Sequence, residues 1–379
     1  MTSLTYFEPL TAGHCSFWAR MVLQAAAADP RISRLRFVTG REMADRLSDV
    51  VDATGLELEV LPEAQIDALS QDGLMARGRA QWAAARACLE GVGGQLFLPF
   101  FDHAVFGAAV DRRPMKGQVS GILFRPPNGY NLPTTPRRRV DVSRRWGTYL
   151  AAKRPAVRRL FTLDEVAPQS AVSRMSKLLT FLPDPAPDLS LLEGRERRPR
   201  SDGRKVHLLF GSLGSRKGIF VVLDALAHVS ADVRATLALR FVGRALAQDR
   251  EAFTAALERA RAAYPEMAIE WVDDFVSDEE LAQEVSDSDV VLAPYQNHLG
   301  SSGVVFWATA AGKPLIAQRT GLMGYQIDRY DLGLAADTTD PAALARAMEA
   351  VEMRPRNTEF LGAHSVPAFT GTILGELLS

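Results

Sequence analysis

The sequence predicts an α/β protein: two Rossmann-like domains facing each other across a cleft, each built on a parallel sheet. Three observations predict it. The chain has 379 residues, and at roughly 150 residues per domain that length favours two domains. Short aliphatic or β-branched runs alternate with longer helical runs rich in Ala, Leu and Arg, which is the pattern of right-handed βαβ units. The alternation is interrupted once, at PDPAPDLSLLEGRERRPRSDGRK (183–205), a stretch of proline, charge and turn formers that reads as a linker. The expected division is therefore an N-terminal domain over 1–183, a linker over 184–204, a C-terminal domain over 205–362 and a last helical segment over 363–379.

The elements follow in order. LTYF (4–7) is a first strand, and TAGHCSFWARMVLQAAAADP is a glycine turn leading into a helix ended by Asp-Pro. LRFVTG (35–40) and LELEVLP (56–62) are strands, and 63–90 reads as one long helical stretch. QLFLPFF (95–101) is almost wholly apolar, as a strand buried on both faces is. GQVSGILF (117–124), VRRLFTL and LLTFLP (178–183) complete the first series, with a helix at RRWGTYLAAK. In the second half VHLLF, LALRFVG, AIEWV, DVVLAPY, KPLIAQRTG and GLAAD are strands. IFVVLDALAHV, DREAFTAALERARAAYP, DEELAQEVSDS and PAALARAMEAVEM are helices, the last with Pro341 in its first turn, and FTGTILGELLS is a last short helix.

The totals exclude several classes. The chain is 47% hydrophobic and 23% charged with a net charge of −1, an ordinary globular composition rather than that of a nucleic-acid-binding or acidic-tail protein. Its two cysteines, Cys15 and Cys88, form no CxxC pair, which argues against a disulfide framework or zinc site and for a reducing, cytoplasmic compartment. The N-terminus lacks a basic segment followed by an apolar one, so no signal peptide is expected. The most apolar stretch, 93–110, carries Asp102 and His103 at its centre and is too broken to span a membrane.

In open parallel sheets ligands bind where strands lead into helices. After the first strand, TAGHCS (11–16) supplies Gly13 for close backbone approach and His14 near a helix N-terminus. FFDHAVFG (100–107) places Asp102 and His103 at the end of a buried strand, either as a satisfied pair or as an acid-base pair in a cleft. GSLGSRKG (211–218) carries Gly211, Arg216 and Lys217; two cations beside flexible backbone N–H groups suit a phosphate or diphosphate, although the loop matches neither GxxxxGK[ST] nor GxGxxG. DDFVSDEEL offers Phe275, either a core aromatic or a face for a nucleobase. QNHLGSSGVV (296–305) places Ser301, Ser302 and Gly303 at the start of a helix whose first N–H groups are left bare for an anion, unless Ser301 or Ser302 simply caps it. Two glycine loops and a basic pair in one domain point to a phosphorylated nucleotide.

The runs FGSLGSRKGIFVVLDAL, FVSDEELAQEVSDSDVVLAPY and GSSGVVFWATAAGKPLIAQRTGLMGYQIDRYDLGLAAD, with FLPDPAP at 181–187, resemble the donor domain of GT-B glycosyltransferases. They are similar to the retaining group that includes many bacterial cell-surface polysaccharide enzymes. The resemblance spans about 178–350. It implies a nucleotide diphosphate-sugar donor gripped by Arg216, Lys217 and the helix start at Ser301–Gly303, with Gly13 approaching the phosphates. It implies no cofactor and no metal ion, the last helix packing back on the first domain, and a saccharide or lipid-linked acceptor. One departure stands out. The group's Glu-x7-Glu would fall on Leu299 and Trp307, or on His298 with a one-residue shift, and neither glutamate is present. Asp328, Asn297 and His298 are nearby in sequence as substitutes, and Ser212 stands where the glycine loop often has arginine.

Finally, 137–159 carries nine Arg or Lys and one acid, Asp141. Arg137, Arg138, Arg139, Arg144 and Arg145 with Trp146 suit an anionic membrane surface or an anionic or lipid-diphosphate acceptor, or simply form a solvated basic face. No nucleic-acid module is recognisable. The expected activity is sugar transfer, with leaving-group stabilisation by the cations and the helix end and with His103 or His14 contacting sugar or acceptor. The alternative is a GT-B-like subunit that binds without turnover. The expected location is cytoplasmic, at most peripheral on the inner face of a membrane.

Overall fold

The computed structural model describes residues 2–11, 15–70, 73–126, 142–169, 179–186 and 189–379. They divide into two compact units. Unit one runs to Asp184 and adds Ser365–Ser379; unit two is Pro185–His364.

In unit one the strands are β1 (Thr2–Glu8), β2 (Ile32–Thr39), β3 (Glu57–Val60), β4 (Gly94–Phe100), β5 (Gly117–Leu123), β6 (Val157–Thr162) and β7 (Leu179–Phe181). Between them lie α1 (Cys15–Ala27), α2 (Arg41–Arg46), α3 (Ser48–Thr54), α4 (Glu63–Leu69), α5 (Leu74–Glu90), α6 (Val105–Val110) and α7 (Val142–Ala152). All strand pairs are parallel, in the order β3-β2-β1-β4-β5-β6-β7. Alternation along the strands divides the core. Leu4, Tyr6, Phe97, Ile122 and Phe161 face one layer, while Phe7, Val38, Leu96, Leu98 and Leu160 face the other.

Unit two has β8 (Lys205–Phe210), β9 (Leu237–Val242), β10 (Ala268–Val272), β11 (Val290–Ala293), β12 (Leu315–Gln318) and β13 (Gly333–Ala336). Its helices are α8 (Ile219–Ala225), α9 (Ala231–Thr236), α10 (Arg250–Ala263), α11 (Asp278–Asp287), α12 (Gly303–Ala310), α13 (Gly321–Tyr330), α14 (Pro341–Ala350) and α15 (Thr358–Ala363). The sheet is again parallel, in the order β10-β9-β8-β11-β12-β13.

The last helix, α16 (Val366–Leu378), belongs to unit one. Phe369, Ile373, Leu374 and Leu377 form its apolar stripe and join the core beside α1. Trp18 lies against Phe369 at 5.4 Å, and Glu376 pairs with Arg159 at 2.7 Å.

Some expectations are corrected. The stretch 63–90 is two helices, because Gly73 adopts φ +98 between them. The segment read as a linker runs along unit two, where Arg197, Arg198 and Arg200 pair with Asp289, Asp287 and Glu270 at 2.7 Å each. Helices α6 and α13 were not read from the sequence. Among the described residues no helix is long and apolar enough to cross a membrane.

Candidate functional site

The strand order of unit two reverses between β8 and β11. From β8 the chain moves outward through β9 and β10, then returns to add β11, β12 and β13 on the other side. The crevice outside the carboxyl ends of such a strand pair is where open α/β sheets bind ligands. The loops entering it are 211–218 after β8, singled out in the sequence, and 294–302 after β11, of which the sequence marked the part from Gln296 on.

Glycines shape the first loop. Gly211 turns at φ +98, and a Cβ there would lie 2.6 Å from Lys217 Nζ. Gly218 turns at φ +79 after a 3₁₀ turn over Ser215–Lys217, and a Cβ on it would collide with Pro294 O of the second loop. The Gln296 N–H donates to Arg216 O at 2.7 Å, so the two loops are tied by backbone as well as by close packing. Lys217 is buried, its ammonium donating to Phe210 O at 2.6 Å, whereas Arg216 is exposed. In sequence the two cations are simply neighbours. The structure makes Lys217 a fixed charge under the loop and Arg216 a charge on its rim.

Tyr295, not singled out from sequence, joins these parts. Its ring lies 5.3 Å from Lys217 Nζ and 5.7 Å from the Arg216 guanidinium carbon, and the His298 ring meets it edge-on at 5.2 Å. Its hydroxyl accepts from Ser302 Oγ at 3.1 Å. Only the fold makes this hub, so no local sequence signal marks it beyond a tyrosine ending DVVLAPY. His298 is held at three points. Its Nε2 lies 3.0 Å from Ser301 O, its Nδ1 lies 3.4 Å from Arg216 Nη1, and its backbone carbonyl accepts from Gln318 Nε2. A neutral ring donating through Nε2 leaves Nδ1 as an acceptor for the arginine, which satisfies both contacts.

Helix α12 starts at Gly303 with Ser302 as its N-cap; Ser302 makes no side-chain cap, and its hydroxyl donates to Tyr295. The first N–H groups of a helix have no acceptor within it, and the positive end of the dipole lies there. Through Tyr295, Ser302 at the start of α12 is linked to Arg216 and Lys217, a combination suited to an anion with several oxygens. Trp307 is 6% exposed, and Val304 through Ala310 are all buried, so the helix is apolar on every side. Trp307 therefore packs in the core with Phe306 and Ala308, and it brings no polar group to the crevice.

Phe275 is 78% exposed in the loop after β10, which excludes a core role. Its loop is framed by the Arg244–Asp274 pair at 3.0 Å, by the Arg250–Asp273 pair and by the Ser277–Glu280 capping box of α11.

In unit one the order reverses between β1 and β4. Asp102 lies in a single 3₁₀ turn just beyond β4. Its carboxylate accepts from Phe124 N–H at 2.7 Å and Arg125 N–H at 3.2 Å, tying that turn to the end of β5. Burial raises its pKa against those two bonds. Asp102 is thus a loop tie, which favours the satisfied reading. His103 stacks on Phe100 at 5.8 Å, and its Nδ1 is buried without a partner. Burial, then Arg77, Arg125 and Arg144, lower its pKa, keeping the ring neutral.

Glu8 ends β1 beside the same reversal and was passed over in sequence, although a carboxylate closing an apolar strand was the available signal. It is fully buried. Oε1 accepts from Leu10 N–H at 2.9 Å, and among the described residues Oε2 is buried without a hydrogen-bond partner. Burial raises its pKa to about 8, against the bonds from Leu10 and Cys15. Gly13, His14, Arg137, Arg138 and Arg139 lie outside the described residues. Arg144, Arg145 and Trp146 lie on α7 of unit one.

Comparison with known proteins agrees with this layout. Residues 204–352 match a family model described as "Glycosyl transferases group 1". Among solved structures, Anabaena Alr3699/HepE in complex with UDP is 13% identical, with a TM-score of 0.66, covering 100% of this chain and 99% of that one. The α,α-trehalose-phosphate synthase (UDP-forming) from Burkholderia vietnamiensis is 12% identical with a TM-score of 0.69, covering 100% and 97%. HepE in complex with UDP-glucose is 12% identical with a TM-score of 0.58, covering 100% and 96%. Among curated proteins none matches. The chain has the GT-B fold, two Rossmann-like α/β units with parallel sheets.

Proposed function

We propose that the protein is a glycosyltransferase that binds a nucleotide diphosphate-sugar and transfers its sugar to a saccharide or lipid-linked acceptor. The observation that carries this reading is the convergence at the β8/β11 reversal of Lys217, Arg216, Tyr295 and the uncapped start of α12. The family match over 204–352 and the UDP and UDP-glucose named in the HepE structures support the donor class.

Bond breaking at the anomeric carbon places negative charge on the departing diphosphate. Lys217, Arg216 and the α12 N–H groups would stabilise that charge without a metal ion, and their fixed positions keep reorganisation small. His298, whose Nδ1 lies 3.4 Å from Arg216 Nη1, would help to position that guanidinium. Phe275 offers a face for the base. In unit one, His103, a neutral imidazole whose Nδ1 has no hydrogen-bond partner among the described residues, is the candidate for contact with a sugar or acceptor. Retention of configuration and a role in bacterial surface polysaccharide synthesis are the finer expectations from the resemblance.

A second reading, donor binding without turnover, is favoured by one observation. Trp307, at the position where the resemblance implies a carboxylate, is packed in the core. Calorimetric titration with UDP, GDP and ADP, followed by an assay for diphosphate release from the matching nucleotide-sugars, separates the two. Absence of binding by every nucleotide sinks both. Binding with no release over an extended incubation with acceptors sinks the enzyme reading.

A further inference from the structure

Helix α7 turns one side inward and, among the described residues, leaves the other unpartnered. Gly147, Thr148, Ala151 and Ala152 are buried, and Gly147 lies so close to α6 that a Cβ there would be 3.1 Å from the Phe106 ring. Ser143, Trp146, Leu150 and Lys153, three and four residues apart, form one exposed stripe. Trp146 is 61% exposed and Leu150 43%. Tyr149 flanks them, edge-on to Trp146 at 6.0 Å, with Lys153 Nζ 4.3 Å over its ring.

The charge around this stripe has one sign. Residues 142–154 contain Arg144, Arg145, Lys153 and Arg154 and no acid. Among the described residues no ion pair involves Arg144, Arg145 or Lys153. Arg154 donates to Ala109 O at the end of α6, which brings exposed Val110 and the basic segment after it close to the end of α7. There Arg112, Arg113, Lys116 and Arg154 line a surface hollow of about 590 Å³. Its acid, Asp111, is already held by Arg113 at 2.9 Å and Arg86 at 3.3 Å.

We propose that the outer face of α7 docks on an anionic phospholipid bilayer. A soluble polyanion would satisfy the cations and leave Trp146 and Leu150 in water. A neutral apolar partner would leave Arg145 and Lys153 unmatched. A bilayer interface with acidic headgroups satisfies both, taking the indole and leucine at the acyl boundary and the arginines among the phosphates. At 11 residues, about 16 Å, the helix is too short to span and lies in the interface plane. The proposal is independent of sugar transfer.

The test is sedimentation of the full chain with vesicles of phosphatidylglycerol mixed with phosphatidylcholine, against pure phosphatidylcholine. Binding is expected to the anionic vesicles, weakening as salt rises. Trp146→Ser with Leu150→Ser, and separately Arg145→Glu with Lys153→Glu, should each lower partitioning at least about tenfold, given roughly a factor of five per basic residue near such a surface. All four side chains lie on a surface helix or just past its end, so the melting temperature serves as a folding control. Brominated lipid should quench tryptophan fluorescence in the wild type and not in Trp146→Phe. Equal binding to both vesicles overturns the proposal. So does binding that the charge reversals abolish and the serine variants leave intact, which would mark a polyanion site.

Discussion

The two strand-order reversals carry opposite chemistry on the same topology. In unit two the reversal gathers permanent cations and a helix N-terminus around Tyr295. In unit one it gathers groups pushed toward their neutral forms. Glu8 is raised to about 8, Asp102 is raised and His103 is lowered, with burial the first cause in each. The first suits an anionic group. The second offers groups whose charge burial disfavours. Strand order alone says where a ligand goes; the side chains at the strand ends say what kind.

The most direct way to break the comparison is to neutralise the buried cation. Lys217→Met keeps the length of the side chain and removes the charge. Losing a buried charge contact to a diphosphate should weaken UDP binding about 100-fold, roughly 3 kcal/mol. Arg216→Ala, on the exposed rim, should cost about tenfold and flatten the salt dependence of association. Calorimetry at two ionic strengths reads both. Equal losses for the two variants would mean that burial does not distinguish them.

How far this site was legible in sequence follows from which of its parts are local. Gly211 and Gly218 announce themselves because only glycine sits comfortably at those positive φ values and close approaches. The Ser-Ser-Gly helix start is equally local. Tyr295 is not, because its role exists only once loops some 80 residues apart are tied through Gln296 and Arg216. Asp102 was readable as a polar group at a buried strand end, but its partners, the N–H groups of Phe124 and Arg125, are 22 and 23 residues away. Helix α13 escaped because its glycines at 321 and 324 read as turn formers, whereas they allow close packing against Leu299 and Arg319. Trp307 was read as a lost carboxylate, and its packing shows a helix apolar on all sides.

Unit one yields a pH test. Glu8 titrates at about 4.5 when unfolded and about 8 when folded, so between those values the folded chain holds a proton that the unfolded chain has released. Its contribution to stability is complete below about pH 4.5 and is lost as pH rises to about 8. The slope approaches 1.4 kcal/mol per pH unit in mid-window. Glu8→Gln mimics the protonated form and should remove that slope. Denaturant titrations of both proteins across the window, taken as a difference, isolate Glu8 from Asp164, which burial also raises, to about 6. Parallel curves for the two proteins would show that Glu8 is ionised in the fold, and the neutral character assigned to unit one's reversal would fall with it.

The smallest expected effect concerns Phe275, which sharpens the unit-two side. An aromatic ring left 78% exposed contributes little to folding, so Phe275→Ala should leave stability within about 0.5 kcal/mol. Its loop is held by ion pairs and the α11 capping box, none of which uses the ring. If the ring meets a base, its loss should weaken a nucleoside diphosphate by about tenfold or less while leaving inorganic pyrophosphate binding unchanged, the reverse of the Lys217→Met pattern, which should weaken both. Competition of the two ligands for each variant reads this out. Equal weakening of pyrophosphate in Phe275→Ala would show that the ring shapes the anion site instead of covering the base.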